Sequence, residues 1–195
     1  MRVLVACEYS GIVRDAFLRK GHDTMSCDIL ETESPGPHYK GDVRDVLDGS
    51  WDIVIAHPPC TYLANSGSRW LYEKEGRWDQ MREGADFFKL FFGSAPKVAI
   101  ENPTIHRHAR DIIGRGSDQR LQPWMFGHLE SKAVCLWLEG LPPLNPTNNV
   151  YEEMMTLPSK ERNKVWWMGS GKAKERSRFF EGIAEAMADQ WGSVT

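Results

Sequence analysis

The chain has 195 residues, 41% hydrophobic and 26% charged, with a formal net charge of −3. That is apolar material enough for one domain spanning 1–195 with a real core, and it gives no global sign of a polyanion partner. The opening apolar run breaks at Glu8, short of a signal h-region or a membrane span, so a cytoplasmic protein with no membrane partner is expected.

"RVLVAC" reads as a buried strand. "SGIVRDAFLRKGH" follows as a helix, with Ile12, Val13, Ala16 and Phe17 at helical spacing and Gly21 as its stop. "DTMSCDI" is a second strand ending on Asp28, and "ETESPGPHYKGDVRDVL" is a loop passing into a short helical turn. "WDIVIAHPP" is a third strand, closed by two prolines that lack an N–H and fix their own φ. A helix then carries Trp78, Met81, Ala85, Phe88 and Phe92, and "KVAIENP" is a further strand stopped by Pro103. This alternation predicts an α/β fold with a largely parallel sheet.

Beyond it, "LQPWMFGH" and "KAVCLWLEGLP" predict an antiparallel pair of strands at the sheet edge. The stretch from Pro142 to Lys174 is irregular and contains "VWWMGSG". "RSRFFEGIAEAMADQWG" closes the chain as an amphipathic helix, with Ile183, Ala186, Met187 and Trp191 on one stripe.

Four cysteines are scattered without a CxxC or Cys/His cluster, which argues against a metal site and a disulfide framework. Cys7, Cys27 and Cys135 sit in or at the ends of apolar runs and read as small buried hydrophobes. Cys60 differs, because it emerges beyond the stiff Pro-Pro corner.

In a doubly wound sheet, ligands collect at the carboxyl ends of the strands. Here those ends carry "EYSG", Asp28, "GDV", "HPPC" and "ENP". Asp28 suits the two hydroxyls of a ribose, and Asp42 an adenine amino group, although either can serve as a loop or cap residue instead. Cys60 and Glu101 can flank one flat heterocycle. A thiolate adding to carbon 6 of a pyrimidine, with a carboxyl protonating N3, makes carbon 5 nucleophilic.

In order, "ACEYSGIVRDAFLRKGH", "GDVRDVLDGSWDIVIAHPPCTYLANSG" and "IENP" resemble the motifs of the DNA (cytosine-5)-methyltransferase family. "KAVCLWLEGLPPL" and the C-terminal segment are similar to small phage-borne members without a separate target-recognition domain. The resemblance implies a Rossmann-like class I methyltransferase fold: a mostly parallel twisted sheet, helices on both faces and an antiparallel C-terminal edge. It implies S-adenosyl-L-methionine as cofactor, held by Cys7, Ser10, Gly11, Asp28, Ile29, Asp42 and Val43. It implies Cys60 as nucleophile, Glu101 as the N3 partner, and a target base flipped out of DNA. His57, Pro58, Asn102, Arg69 and Arg120 are the candidate substrate contacts. If the chain is phage-encoded, its location is the host cytoplasm.

Val13 and Arg14 stand where the family has glycines, His57 replaces a small or aromatic residue, and "DQRLQ" only approximates a Gln-x-Arg-x-Arg strand. Two other readings stay open: an exocyclic-amine methyltransferase using Tyr62 as stacking face, and a catalytically silent nucleic-acid-binding protein of the same fold. A nucleotide or RNA substrate is also compatible, and neither strandedness nor oligomeric state is legible. Arg162, Lys164, Trp166, Trp167, Lys172, Lys174 and Arg176 interleave cations with aromatics, as a surface for unpaired nucleotides would, or as a solvated loop with its tryptophans tucked inward. "SGSRW" can act as a lid that brings Arg69 to a phosphate.

Overall fold

Apolar runs rich in Val, Ile and Ala build the centre of a seven-stranded sheet in the computed structural model, which describes residues 1–168 and 172–193. Parallel pairing joins β1 (Arg2–Ala6), β2 (Asp23–Asp28), β3 (His38–Lys40), β4 (Ile53–Ala56) and β5 (Lys97–Asn102). Of the last two strands, β6 (Gln119–Leu121) and β7 (Val134–Glu139), β7 runs antiparallel to both β5 and β6. The spatial order is β3-β2-β1-β4-β5-β7-β6. This is the Rossmann-like class I methyltransferase architecture, antiparallel edge included.

The first half of the chain contributes α1 (Ile12–Arg19), α2 (Trp70–Glu73), α3 (Arg77–Lys89) and α4 (Arg107–Ile113). The second half contributes four short helices, α5 (Tyr151–Thr156), α6 (Ser159–Arg162), α7 (Lys164–Trp167) and α8 (Ala173–Ser177), and then α9 (Glu181–Trp191). Val3, Val5, Ile53 and Ile55 point to one face and meet α1 and α9 through Phe17, Ile183 and Met187. Leu4, Ala6, Val54 and Ala56 point to the other and meet α3 and α4 through Met81, Phe88 and Ala109. Both faces being covered is why these strands read as unbroken apolar runs.

The chain winds outward from β1 in both directions, so β1 and β4 are neighbours and a crevice opens between their carboxyl ends. His57 N donates to Ala6 O at 2.9 Å, which carries the pairing of these two strands into the crevice.

Several expectations need correction. "LQPWMFGH" forms a strand only through Leu121, because Pro123 cannot donate to a ladder and opens a 3-10 turn instead. The strand β3 and the helix α4 were hidden by polar sequence. Only Ala109 and Ile113 of α4 are buried, and its N-cap is His106, whose Nδ1 accepts from Ala109 N at 3.2 Å. The irregular C-terminal stretch holds the short helices α5 to α8, while residues 169–171 of "VWWMGSG" lie outside the described residues.

Arg14 is the least expected core residue, fully buried at 0% exposure. Its guanidinium donates to Asp15 at 2.8 Å, Ser26 Oγ at 3.2 Å, Thr32 Oγ1 at 3.1 Å and Ser34 O at 2.8 Å. It thereby pins the loop after β2 onto the start of α1. Gly11 has φ +77°, and a Cβ there would lie 2.4 Å from Arg14 Nη2. Replacing Arg14 by Met strands these acceptors in the interior, at a cost of about 1–3 kcal/mol. Urea denaturation of Arg14→Met should show a lower midpoint with an unchanged slope, and an unchanged midpoint would contradict this account.

Candidate active site

Cys60 is aimed by a corner fixed on both sides. Asn102, at the end of β5, donates from Nδ2 to Pro58 O at 2.8 Å, supplying a donor to a turn whose prolines have none. Beyond the corner, Leu63 N and Ala64 N both donate to Cys60 O, at 3.0 and 2.9 Å. Asn102 is thus brought to the corner's backbone, and Pro58 is buried beneath it.

The Cys60 thiol is half-buried, and burial pushes its pKa above the ordinary cysteine value. The Glu101 carboxylate pushes in the same direction, while Lys132 and Arg176 pull the other way. Far apart in sequence, Cys60 follows β4 and Glu101 stands at the end of its parallel neighbour β5, within electrostatic reach of each other, as Lys132 and Arg176 are of the thiol. Glu101 Oε2 lies 3.1 Å from His57 Nδ1, with the two side chains 13% and 12% exposed. The His57 ring packs on Phe179 at 4.8 Å between centroids, and its Nε2 is buried without a hydrogen-bond partner among the described residues.

Glu8 is the member of this cluster that sequence reasoning missed. It is 4% exposed and accepts from Val13 N at 2.7 Å, Arg14 N at 3.2 Å and Ser10 Oγ at 3.2 Å. A carboxylate so placed satisfies free amides at the start of α1. Burial raises the Glu8 pKa, opposed first by His57. The signal was present: an acidic residue directly after a buried strand and before a helix that lacks its own Ser, Thr, Asp or Asn cap.

Across the crevice, Cys7 departs from the bland reading, being half-buried with a left-handed φ of 58°. Burial, and then the charge of Asp28, hold its thiol far above the usual range, with Cys27 and Asp42 adding to the effect. Cys7, Asp28 and Asp42 are therefore brought together. Asp28 accepts from Leu30 N at 2.9 Å, and burial raises its pKa. A carboxylate has acceptor capacity beyond that bond. Beside it Ile29 and Leu30 stand 75% and 46% exposed, an apolar shoulder next to an acceptor.

Asp42 works as an N-cap, accepting from Arg44 N at 2.9 Å and pairing with Arg44 Nη1 at 2.7 Å, with Val43 buried behind it. The bond from Arg44 N, first among its partners, holds its carboxyl below the usual range. The ends of β2 and β3 thus offer a carboxylate acceptor beside an exposed apolar shoulder, the groups that a ribose and a flat base require. Ser10 and Gly11 are engaged internally, Ser10 with Glu8 and Ile12 N, Gly11 with Arg14.

The two arginine candidates sit in different surroundings. Arg120 pairs with Cys135 and through it with Asn102, whereas Glu101 pairs with Leu136. Successive strand residues point to opposite faces, so Arg120 faces away from Glu101, and Gln119 shares the Glu101 face. Arg69 is exposed and lies over the Trp70 ring at 4.3 Å, in a segment that Asn65 N ties to Thr104 O at 2.8 Å. Tyr62 has its ring covered by Arg77 at 4.3 Å. Trp166 and Trp167 are 79% and 59% exposed, so they are not tucked onto the core.

A cavity of about 690 Å³ lies between the start of α1 and the C-terminal segment, lined in part by Ser10, Lys132, Arg176 and Phe179. Asp28 and Asp42 are not among its walls. The cavity therefore adjoins the Cys60 side of the crevice, through Lys132 and Arg176. No helix among the described residues is long and apolar enough to cross a membrane.

No protein-family model and no curated protein matches the sequence. Among solved structures, the chain is similar to WbdD, described as a co-crystal with a kinase inhibitor, at 13% identity and a TM-score of 0.41, covering 72% of this chain and 36% of that one. It is also similar to a triple mutant of DNMT2 from Spodoptera frugiperda, at 14% identity and a TM-score of 0.40, covering 76% and 54%. The chain thus spans less than two thirds of either protein.

The charges around Cys60 make a test in the free protein. An anion beside a thiol raises its pKa and a cation lowers it. Glu101→Gln should therefore speed alkylation of Cys60 by iodoacetamide at mildly alkaline pH, and Lys132→Met should slow it. Mass-spectrometric rates at Cys60 that respond to neither change would remove this electrostatic coupling.

Proposed function

We propose that the chain is an S-adenosylmethionine-dependent methyltransferase acting on carbon 5 of cytosine in DNA through a covalent adduct with Cys60. The observation that carries this reading is that Glu101 stands at the end of the strand beside the one that leads to the Cys60 corner, with His57 of that corner 3.1 Å from Glu101 and Asn102 bonded to Pro58 O at 2.8 Å. A thiol and a carboxyl at neighbouring strand ends are the two groups that a conjugate addition to a pyrimidine requires. The methyltransferase-like fold supplies the frame, and a fold alone does not choose the reaction.

In this reading, Asp28 holds the ribose hydroxyls of the cofactor, with Ile29 and Asp42 at the adenine and Cys7 behind them. S-adenosylmethionine, when bound, supplies the electrophilic methyl group. Cys60 forms the S–C6 bond as a thiolate, the ring π electrons move toward N3, and Glu101 delivers a proton there. Carbon 5 is then an enamine carbon and nucleophilic. Once carbon 5 carries the methyl group, a water molecule takes its proton. The electron pair of that C–H bond forms the C5–C6 double bond as the S–C6 bond breaks to release the Cys60 thiolate, and the N3 proton returns to Glu101. The resting thiol, raised by burial and Glu101, must first lose its proton, so Lys132 and Arg176 serve by favouring the thiolate. The exocyclic-amine alternative needs an open aromatic face, and the Tyr62 ring is already covered by Arg77.

DNA carrying 5-fluorocytosine blocks the release step, because fluorine cannot leave carbon 5 as a cation. The expected result is a protein–DNA complex stable in denaturing gels, dependent on S-adenosylmethionine and absent in Cys60→Ser. Glu101→Gln should keep DNA binding and lose about 10²–10⁴-fold in turnover. Methylation of DNA without any trapped complex would overturn the nucleophile.

DNA contacts are expected to be mainly to phosphates, with α7 and its flanks stacking unpaired bases on Trp166 and Trp167. Affinity should fall steeply with salt, and Trp166→Ala should weaken single-stranded DNA by about 1–3 kcal/mol. Binding titrations at several salt concentrations check both, and a long, strictly defined recognition site would contradict this picture.

A further inference from the structure

The His57–Glu101 contact has no counterpart in the motifs that suggested the reaction, where a small or aromatic residue precedes the prolines. Oε2 of Glu101 is taken by His57 Nδ1 at 3.1 Å, and Oε1 makes no hydrogen bond to a described residue. A carboxyl that must meet a ring nitrogen needs one oxygen held and the other free. His57 is itself held. Its main chain extends the pairing of β4 with β1, and Phe179 packs against the ring at 4.8 Å.

We propose that His57 is the positioning residue of Glu101, fixing Oε2 through Nδ1 so that Oε1 is presented to the base, and keeping the pair's proton on that line. This role rests on the reading of Glu101 as the acid at N3. When Glu101 gives its proton to N3, a proton on Nδ1 donates to the new carboxylate through Oε2. When the adduct breaks down, N3 returns the proton to Glu101, and the pair is restored without net change.

Other charged groups surround this pair. Glu8, from the loop after β1, interacts electrostatically with His57, and Glu101 faces it from β5. Glu101, Lys132 and Arg176 all act electrostatically on Cys60, while Phe179, packed on the His57 ring, is uncharged. His57 Nε2 is buried without a partner among the described residues, so Nδ1 carries the ring's one side-chain hydrogen bond there.

Two variants and a spectroscopic measurement separate positioning from packing. His57→Phe keeps an aromatic ring against Phe179 and removes the partner of Oε2. It should lower kcat about 10²-fold, the low end of what a general acid contributes, with KM for DNA and cofactor affinity unchanged. His57→Asn keeps a short amide able to donate to Oε2 and cannot titrate. It should recover most of kcat. In the free protein, the nitrogen-15 resonance of His57 Nδ1 should move on Glu101→Gln. A resonance that stays in place overturns the pairing, whatever the activity. A resonance that moves, together with wild-type kcat and pH profile in His57→Phe, overturns the positioning role alone. A wild-type protein that neither traps 5-fluorocytosine nor methylates DNA overturns the cytosine reading, and this role with it.

Discussion

The hydrogen bond from Asn102 to the Pro58 carbonyl is the constraint on which the cleft depends. Two consecutive prolines stiffen a chain but leave it short of donors, so something outside the turn must fix its direction. The donor comes from the end of β5, and β4 and β5 are parallel neighbours in register. Glu101 precedes Asn102 on that strand, and its side chain points to the other face. One strand end thus sets both the corner that carries Cys60 and the carboxyl that acts on it. A shift of β5 by one residue would exchange the faces of the two side chains and undo both.

The parts of this protein that could be read from its sequence are those governed by periodicity and by proline. The strand runs, the helix stop at Gly21, the corner at Pro58 and the stripe of Ile183, Ala186, Met187 and Trp191 were all legible, because each is set by neighbours along the chain. Glu8, Arg14 and His106 were not. Each is polar and each is buried: Arg14 and His106 draw on partners distant in the chain, while Glu8 turns inward onto the amides of the helix that follows it. Arg14 on a helix beside Val13 reads as a surface residue until the loop after β2 folds over it. The face of Arg120 was likewise unreadable, since it depends on the register of β6 against β7 and not on the residues of β6 themselves.

The segment after β1 shows how a departure from a motif can be compensated. Where the resemblance calls for glycines, this chain has Val13 and Arg14. The space beside Gly11 is filled by the Arg14 guanidinium, and the amides of α1 close on Glu8. A glycine-rich turn leaves its amides open to a ligand, whereas this turn closes them internally. The features left open to a ligand lie instead at Asp28 and its apolar shoulder, and around Cys60. The C-terminal segment is drawn onto the same rim from the other side. Tyr9 donates to Lys174 O at 2.7 Å, and Glu33 pairs with both Lys174 and Arg178. The last part of the chain therefore helps to shape the crevice begun by the first.

The two outermost strands, β3 and β6, are each three residues long. A sheet edge is a template for another strand, and its danger grows with the length of unpaired backbone it offers. Here Lys40 ends one edge and Pro123 follows the other, and Arg120 stands exposed between its neighbours on β6. The apolar strands at the centre, which would aggregate if left bare, are thus shielded by flanks too brief and too charged to extend. Growth of the sheet by adding a strand from a second molecule is disfavoured at both sides.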